Sequence, residues 1–224
     1  MVDYIEAIKR PFSDLKKSGL AALLVWIPIV NFLSYGYFLE CAKTSLNRKR
    51  ELPIWDYWGD KFIKGVLSVI IKIIYAIPLI LISLAFMSKI IEAGIINESF
   101  IKSLETGNGM AVISKMLNVF LEPDVIGIFI FAVIIGILIN YVIPMGVMFY
   151  VVNYRFKDIF NFKEIFKKVL TKEYFTAWLI ATAYSILLMS IGNFIPFVGG
   201  LIAVTLSGIT GYTIYGEVYR EIKV

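Results

Sequence analysis

Residues 125–153 of this chain form an apolar stretch that contains no acidic or basic side chain. A helix of about 20 apolar residues crosses a hydrocarbon core roughly 30 Å thick, so this stretch is long enough to span a bilayer. Residues 65–87 form a second such window with a single charge. A longer apolar region near the C-terminus is interrupted by Pro and Gly, and we predict it to be a helical hairpin with spans at 176–194 and 198–217.

The composition agrees with a lipid environment. Hydrophobic residues make up 59% of the chain and charged residues only 17%, whereas a soluble domain carries about a quarter charged residues. None of the apolar windows alternates polar with apolar residues, as the strands of a membrane barrel do. We therefore predict an all-α, polytopic helical membrane protein. It has four full transmembrane helices, an N-terminal re-entrant or hairpin segment and interfacial amphipathic helices.

Residues 19–39 form a further apolar segment that Pro28 divides in two. Basic residues flank this segment on both sides, and basic flanks favour the cytoplasmic face of a membrane. A single crossing would put one of the two flanks outside, so we favour a re-entrant hairpin with both ends in the cytoplasm. Five plain crossings, or six if this segment forms a complete hairpin, stay open as alternatives.

The charges of the remaining connections give a topology for the chain. Acidic residues outnumber basic ones between 88 and 124, which predicts an external loop, and the reverse holds between 154 and 176. Both termini are then cytoplasmic, in a cell membrane. Residues 1–17 are polar and amphipathic rather than a cleavable signal, and we predict that they form an interfacial helix.

Residues 161–171 predict a basic amphipathic helix, because the apolar residues recur with helical spacing and lysines take the other side. Asn161 and Glu164 resemble an N-terminal capping box. Such a helix lies along anionic headgroups of the inner leaflet with its aromatic side down, although packing on its own protein is an equal alternative. The predicted interfacial residues are Phe162, Phe166, Lys163, Lys167 and Lys168.

Residues 53–64 predict another interfacial helix, with Pro53 in its first turn. Trp55, Trp58 and Phe62 would share one face and act as anchors at the headgroup level. Asp56 and Asp60 would share another face at a spacing of four residues. Paired carboxylates could hold a cation or perform acid–base chemistry, but acids in such a place are more often solvated or paired with lysine.

Several short motifs resemble a known family. They are Gly36-Tyr-Phe-Leu-Glu40, Leu52-Pro-x-Trp-x-x-Trp-Gly59, Tyr154-Arg155-Phe156 and Ile195-Pro196-x-x-Gly199. Together they are similar to the mainly archaeal membrane family known as domain of unknown function 4013, and the Leu-Pro-x-Trp segment is the most specific of them. The resemblance implies a multi-pass helical membrane protein with no established activity, and it supplies no catalytic residues.

Four prolines follow isoleucine within apolar segments, and we expect each of them to kink or end a helix. Broken helices line substrate sites in transporters. The first two prolines are 50 residues apart and the last two are 52 apart, which leaves an internal duplication open beside ordinary turns and kinks. The predicted helix breaks are Pro28, Pro78, Pro144 and Pro196.

Two polar residues in the predicted spans form a candidate intramembrane polar site. Lys72 is the only charge within a confident span, and Asn140 lies deeper in the third segment. Ionisable residues in a membrane are functional candidates. The competing interpretation is that Lys72 snorkels to the headgroups and that Asn140 bonds to a neighbouring helix.

Small residues recur every four positions in the last span, at Gly199, Ala203, Ser207 and Gly211. Such stripes allow two helix backbones to approach closely. We expect this helix to pack tightly against its hairpin partner or against another subunit. The second case would make the protein a homo-oligomer or part of a larger membrane complex.

The catalytic inventory of the chain is small. Histidine is absent and Cys41 is the single cysteine, which removes the usual nucleophile pairs and metal sites, so we expect no cofactor, metal or catalytic residue. The net charge of +5 follows from the cytoplasmic flanks, and no nucleic-acid partner is expected. We favour a non-enzymatic scaffold or accessory subunit that engages membrane lipids. A small transporter, channel or lipid-translocating protein is the alternative, and an intramembrane enzyme is third.

Overall fold

A computed structural model describes residues 2–92 and 109–222, and helices dominate them. No strand occurs in these two ranges, and the all-α prediction is confirmed. Short 3₁₀ segments precede α2 and α7, at Arg10–Phe12 and Phe156–Phe160. The helices are α1 Tyr4–Lys9, α2 Leu15–Trp26, α3 Asn31–Leu46, α4 Trp58–Glu92, α5 Gly109–Phe120, α6 Pro123–Asn153, α7 Phe162–Val169, α8 Lys172–Gly192 and α9 Gly199–Glu221.

Three of these helices, α4, α6 and α8, are long and apolar enough to cross a membrane. They correspond to the spans predicted at 65–87, 125–153 and 176–194. The segment predicted at 198–217 is also helical, as α9, but it is not among the three. Glycines, threonines and tyrosines lower its mean hydropathy, and the threonines are buried against other parts of the protein rather than facing outward.

The chain divides into two compact units. The first consists of Met1–Ile73 and Tyr141–Val224, and the second consists of Ile74–Asn140. Helices α4 and α6 each contribute one part to either unit. The second unit has a small core of its own, in which Val119 and Val125 are buried and Phe86 packs against them.

Helix α9 is the centre of the first unit and packs against α8, α3 and α2. Glycines allow the closest of these approaches. A Cβ atom on Gly216 would lie 2.4 Å from the carbonyl oxygen of Ala42, and one on Gly208 would lie 2.7 Å from the ring of Phe38. Because both residue numbers increase together along the contact, α3 and α9 run parallel.

The predicted small-residue stripe packs on α8 at its N-terminal end. A Cβ on Gly199 would lie 2.1 Å from the carbonyl oxygen of Gly192, and Ala203 is buried beside Gly192. Ser207 is half-buried, and a Cβ on Gly211 would meet nothing nearer than Tyr215, at 3.9 Å. The close approach to α8 therefore uses the first half of the stripe.

Pro28 and Pro196 lie in two turns of the same geometry. Each turn joins two antiparallel helices, α2 to α3 and α8 to α9. The residue after each proline has a left-handed backbone, with φ 69° at Ile29 and 64° at Phe197. In both turns the amide two residues after the proline donates to the proline carbonyl, at 2.8 and 2.7 Å. We call these turns the hairpin tips.

Both hairpin tips lie at one end of the first unit, because α3 and α9 are parallel and each begins at a tip. Large apolar side chains are exposed there: Trp26 and Ile29 at one tip, and Phe194 and Phe197 at the other. Charged residues gather at the opposite end. We call that region, formed by residues 3–17, 45–57 and 213–222, the charged end.

Several predictions made from the sequence are wrong in detail. Pro78 and Pro144 end no helix, because α4 and α6 continue through them. A proline removes one backbone hydrogen bond, and in a long apolar helix the bonds on either side maintain the structure. The predicted external loop at 88–124 is partly helical, since it contains the end of α4, all of α5 and the start of α6. Residues 93–108 of that loop lie outside the described residues.

Two predicted interfacial helices are shorter than expected. Residues 1–17 form α1 and a 3₁₀ turn at Pro11, and α2 begins only after Asp14, which caps it by accepting from the amide of Lys17. Residues 53–57 are not helical, and α4 begins at Trp58. Tyr57 has a left-handed backbone, with φ 43°, which stops the helix from extending further towards the N-terminus.

Candidate functional site

Arg10 is the most completely enclosed cation of the charged end. Its side chain leaves the residue only 5% exposed, and all the guanidinium nitrogens donate hydrogen bonds. Burial lowers the pKa of the guanidinium, although an arginine stays protonated at pH 7. The acceptors are Arg50 O at 3.0 Å, Cys41 O at 2.9 Å, Thr213 Oγ1 at 2.9 Å, Thr44 Oγ1 at 2.6 Å, Glu51 O at 2.8 Å and Ser45 Oγ.

These bonds tie together four parts of the chain: the N-terminal turn, the end of α3, the segment after it, and α9. All the acceptors are neutral, and within the described ranges no carboxylate pairs with Arg10. Arg10 is thus a buried charge that backbone carbonyls and hydroxyls stabilise without neutralising it. Its positive potential extends into the space beside it.

That space consists of two adjoining clefts, which we name together the charged cleft. The smaller has a volume of about 400 Å³ and is lined by Arg10, Glu6, Asp14 and Lys17 among others. The larger, of about 680 Å³, is lined by cations from two elements: Arg48, Lys49 and Arg50 follow α3, and Arg220 lies near the end of α9. Asp3, Glu217 and Glu221 supply carboxylates to the same cleft.

Direct bonds join the beginning and end of the described chain at the charged end. The amide of Asp3 donates to Glu217 at 3.0 Å, and Arg220 donates to the carbonyl of Ser45 at 2.9 Å. Lys168 at the end of α7 donates to the carbonyl of Ile222 at 2.7 Å. Residues 3 and 222 therefore lie at the same end of the first unit.

A second group of charges joins α3 to the start of α4, and we call it the ion-pair cluster. Lys61 is fully buried, and its ammonium lies 2.9 Å from both Glu40 and Asp56. Lys64 lies 3.2 Å from Glu40 and 2.5 Å from Asp60. The helices cross closely here, because a Cβ on Gly36 would lie 1.9 Å from the carbonyl oxygen of Lys61.

The cluster decides between the two interpretations of Asp56 and Asp60. Each carboxylate is paired with its own lysine, and the two do not form one site. Asp56 precedes α4 instead of lying on it, and Lys61 also donates to its carbonyl oxygen at 2.5 Å. This arrangement is a structural clamp rather than a pair of carboxylates open to a cation.

The predicted aromatic anchors differ in their surroundings, although the rings of Trp55 and Trp58 remain in contact with centroids 5.4 Å apart. Trp55 stacks on Tyr37 with ring centroids 4.4 Å apart and donates to the carbonyl of Lys17, so it packs against the protein. Trp58 is more exposed and begins α4, and Phe62 packs edge-on against Phe32. Trp55 therefore does not share a helix face with the other two.

Helix α7 shows a divided apolar surface. Ile165 and Val169 are buried in the first unit, whereas Phe162 and Phe166 are 46% and 48% exposed. Lys163 and Lys167 are exposed, and a hydrogen bond from Lys167 holds the pKa of Glu164 below its usual value. Asn161 lies at the N-cap but its side chain makes no capping bond, and Glu164 pairs with Lys167 at 2.8 Å, so the two residues form no capping box.

Lys72 and Asn140 belong to different units. The Lys72 ammonium lies 5.3 Å from the ring centre of Tyr35 and 5.9 Å from that of Tyr212, within the range of a cation–π interaction. Asn140 is the last residue of the second unit and is exposed. Lys72 is thus placed by aromatic rings of its own unit.

Arg10 and Lys61 were not singled out from the sequence. Their neighbours carried partial signals: Arg10 stands before Pro11 at a helix break, and Gly36, which begins one of the family-like motifs, permits the close helix crossing. Neither signal reveals that a cation next to it is buried. In the described ranges no cluster of acidic or cysteine side chains could hold a metal ion.

The fold and these sites define an all-helical protein with three membrane-length apolar helices and one strongly charged end. Residues 20–197 match the model of a family described as a protein of unknown function (DUF4013). This match spans well over half of the chain, and the protein belongs to that family. Comparison with curated proteins and with solved structures finds no match to either.

Proposed function

We propose that this protein is a non-enzymatic integral membrane scaffold, or an accessory subunit of a larger membrane complex, which holds its charged end against the inner leaflet. The observation that carries the proposal is the divided surface of α7. One apolar row fixes the helix to the protein, and a second row is largely exposed, with Phe162 46%, Phe166 48% and Leu170 80% exposed.

The exposed row formed by Phe162, Phe166 and Leu170 has the chemistry of an interfacial helix. Lysines accompany it, with Lys163 and Lys167 exposed, and a helix with aromatic residues and lysines side by side inserts at the headgroup boundary. Each basic residue near an anionic leaflet contributes about 1 kcal/mol of attraction. The same short helix packs on the protein and contacts lipid. It would therefore hold the charged end at a fixed depth relative to the inner leaflet.

The remaining polar groups support a structural role. Glu40, Asp56 and Asp60 are held by Lys61 and Lys64, and Arg10 is held by six neutral acceptors, so these charges stabilise contacts between elements. The transporter alternative was based on helix breaks predicted at four prolines. Two of its four prolines lie within continuous helices, which removes that support from Pro78 and Pro144.

Labelling of α7 tests the leaflet contact. Phe166→Cys and Lys167→Cys place an environment-sensitive fluorophore on the apolar and polar sides of the same helix, and the native Cys41 is buried and stays unlabelled. In vesicles containing phosphatidylglycerol we expect a blue-shifted emission at 166 that brominated lipids quench, and little quenching at 167. Equal, water-like emission at both positions would contradict the proposal.

Reconstitution separates the scaffold from the transporter. The purified protein in closed vesicles should move neither protons, followed with an entrapped pH dye, nor labelled phospholipid, followed by dithionite reduction. The comparison is with vesicles that contain no protein. Transport of either probe above that background would replace the scaffold with the alternative.

A further inference from the structure

Three cations of the charged cleft have side-chain hydrogen-bond donors that the described part of the protein leaves unused. Arg48 and Lys49 form no ion pair or hydrogen bond through their side chains in the described ranges. Arg50 is largely exposed, and its nearest carboxylate, Glu6, lies 3.8 Å away, beyond hydrogen-bond distance. Three successive cations of one turn therefore line the cleft without strong partners of their own.

The turn that carries them is conformationally costly. Arg48 has φ 62°, at the position after a helix end where glycine is usual. The helix end is otherwise regular: the amide of Lys49 donates to Thr44 at 2.8 Å and that of Arg48 to Ser45 at 3.0 Å. A strained arginine in place of glycine is typical of a residue kept for its side chain.

The buried charge of Arg10 adds to the attraction. Its N–H groups are all used by neutral acceptors, so it contributes potential rather than direct bonds to anything in the cleft. A charge removed from water is screened less than one on the surface. An anion in the charged cleft would meet the exposed cations of the turn and the field of Arg10 together.

The carboxylates of the charged cleft further restrict the kind of ligand that can bind there. Glu217 and Glu6 also line it, with Glu6 3.8 Å from Arg50, and can accept hydrogen bonds from hydroxyl or ammonium groups. A purely anionic ligand would be repelled by them. Volumes of about 400 and 680 Å³ are within the range of small-molecule sites.

We propose that the charged cleft binds a phosphate ester of a small polyol or amino alcohol, with the phosphate at Arg48 and Arg50 and hydroxyl or ammonium donors at Glu217. This chemistry belongs both to phospholipid headgroups and to soluble phosphate esters. The lipid source rests on the proposed function, which places the charged end at the inner leaflet, whereas the soluble source does not.

The test titrates full-length protein in detergent with two probes at one fixed salt concentration. The probes are glycerol 1-phosphate, by calorimetry, and phosphatidylglycerol, by mass spectrometry of retained lipid with phosphatidylcholine as reference. R48Q/R50Q removes two cations from the cleft. K163Q/K167Q removes the same charge from α7 and is the matched control.

We expect R48Q/R50Q to weaken binding of glycerol 1-phosphate at least about tenfold, because charge-assisted bonds to phosphate are lost, while K163Q/K167Q leaves binding of this soluble ester unchanged. Lys49→Gln, which removes no contact of the fold, should weaken binding too and covers the case in which the double variant unfolds. Binding in the soluble arm shows a free ester site, and binding in the lipid arm alone shows a headgroup site. Equal weakening of glycerol 1-phosphate binding by both double variants, or no binding in either arm, overturns the proposal. The labelling result for α7 does not depend on that outcome.

Discussion

At the scale of single residues, Arg10 shows what a sequence pattern conceals. It stands in an amphipathic segment among other basic residues, which predicted contact with headgroups. In the structure it is enclosed, because the backbone carbonyls at the end of α3 need donors and a guanidinium supplies five in one plane. Cations near a membrane therefore need not face lipid.

We expect Arg10→Lys to lower the free energy of unfolding by about 3 kcal/mol, since an ammonium has three donors for six acceptors and leaves buried oxygens unpaired. Lys9→Gln, a change at the exposed neighbour, should stay within about 0.5 kcal/mol of the native protein. Denaturant unfolding in detergent measures both. A lysine variant as stable as the native protein would show that water replaces the lost bonds.

Substitution of Arg48 is expected to raise the free energy of unfolding instead of lowering it. Arg48→Gly should raise the free energy of unfolding by up to about 1 kcal/mol, because glycine adopts a positive φ without steric cost. The same substitution removes one cation from the charged cleft. Unfolding and phosphate-ester binding measured on one preparation should then move in opposite directions, and a variant that loses stability would show that the arginine side chain contributes an unseen contact.

At the scale of elements, glycine spacing controls which helices cross closely. The stripe at the start of α9 was visible in the sequence because its members recur regularly. Gly36 and Gly65 lie on different helices far apart in the chain, and no periodicity connects them. Their role is clear only from the crossing of α3 and α4, where the backbone of each helix occupies the space of the other's missing side chain.

Gly36→Ala and Gly65→Ala should each destabilise the fold by about 2 kcal/mol or more, because the new Cβ would lie less than 2 Å from a backbone oxygen. Separation of α3 from α4 would also stretch the bonds between Lys61 and Glu40. Gly59→Ala is the control, since nothing lies within 4 Å of its Cβ, and it should be neutral or slightly stabilising. The midpoint of thermal unfolding in detergent distinguishes the three variants.

The hairpin tips explain both the success and the failure of the proline prediction. Pro28 and Pro196 lie in turns because the residue after each adopts a left-handed backbone and closes the turn. Pro78 and Pro144 have the same preceding isoleucine but lie in uninterrupted helices. The Ile-Pro pair is shared by all four sites, but Asn31 follows the first tip and two glycines follow the second, whereas Leu-Ile-Leu follows Pro78. The two prolines in similar structures are therefore Pro28 and Pro196, at the two hairpin tips. The similar spacing from Pro28 to Pro78 and from Pro144 to Pro196 does not correspond to a structural likeness.

At the scale of the whole molecule, apolar length predicted the helices well, because a long uncharged run has few other structures available in lipid. Where charges fall was harder to predict. Lys61, Arg10 and Lys168 all bond to groups of the protein, and most of those partners are distant in sequence or supplied by backbone. Charge patterns indicate sidedness, but they do not show which cations are already used.

Helix length favours the prediction that residues 19–39 form a re-entrant hairpin. Helices α2 and α3 contain 12 and 16 residues, about 18 and 24 Å at 1.5 Å per residue, and both are shorter than a hydrocarbon core of roughly 30 Å. A hairpin of this size that starts at one interface ends within the bilayer. The exposed Trp26 and Ile29 at its tip are suited to that position.

Cysteine labelling in closed vesicles tests this arrangement. We expect cysteines at Asp3 and Lys163 to react with a charged maleimide from one side and a cysteine at Leu121 to react from the other, because α6 lies between positions 121 and 163 and has the length of a span. A cysteine at Ile29 should react from neither side, since a re-entrant tip ends in hydrocarbon. Reaction at 29 from the Leu121 side would instead establish a complete crossing by the first hairpin. If 121 and 163 shared a side, α6 would not cross, and the positive-inside argument would fail for the segment that best fits a transmembrane helix.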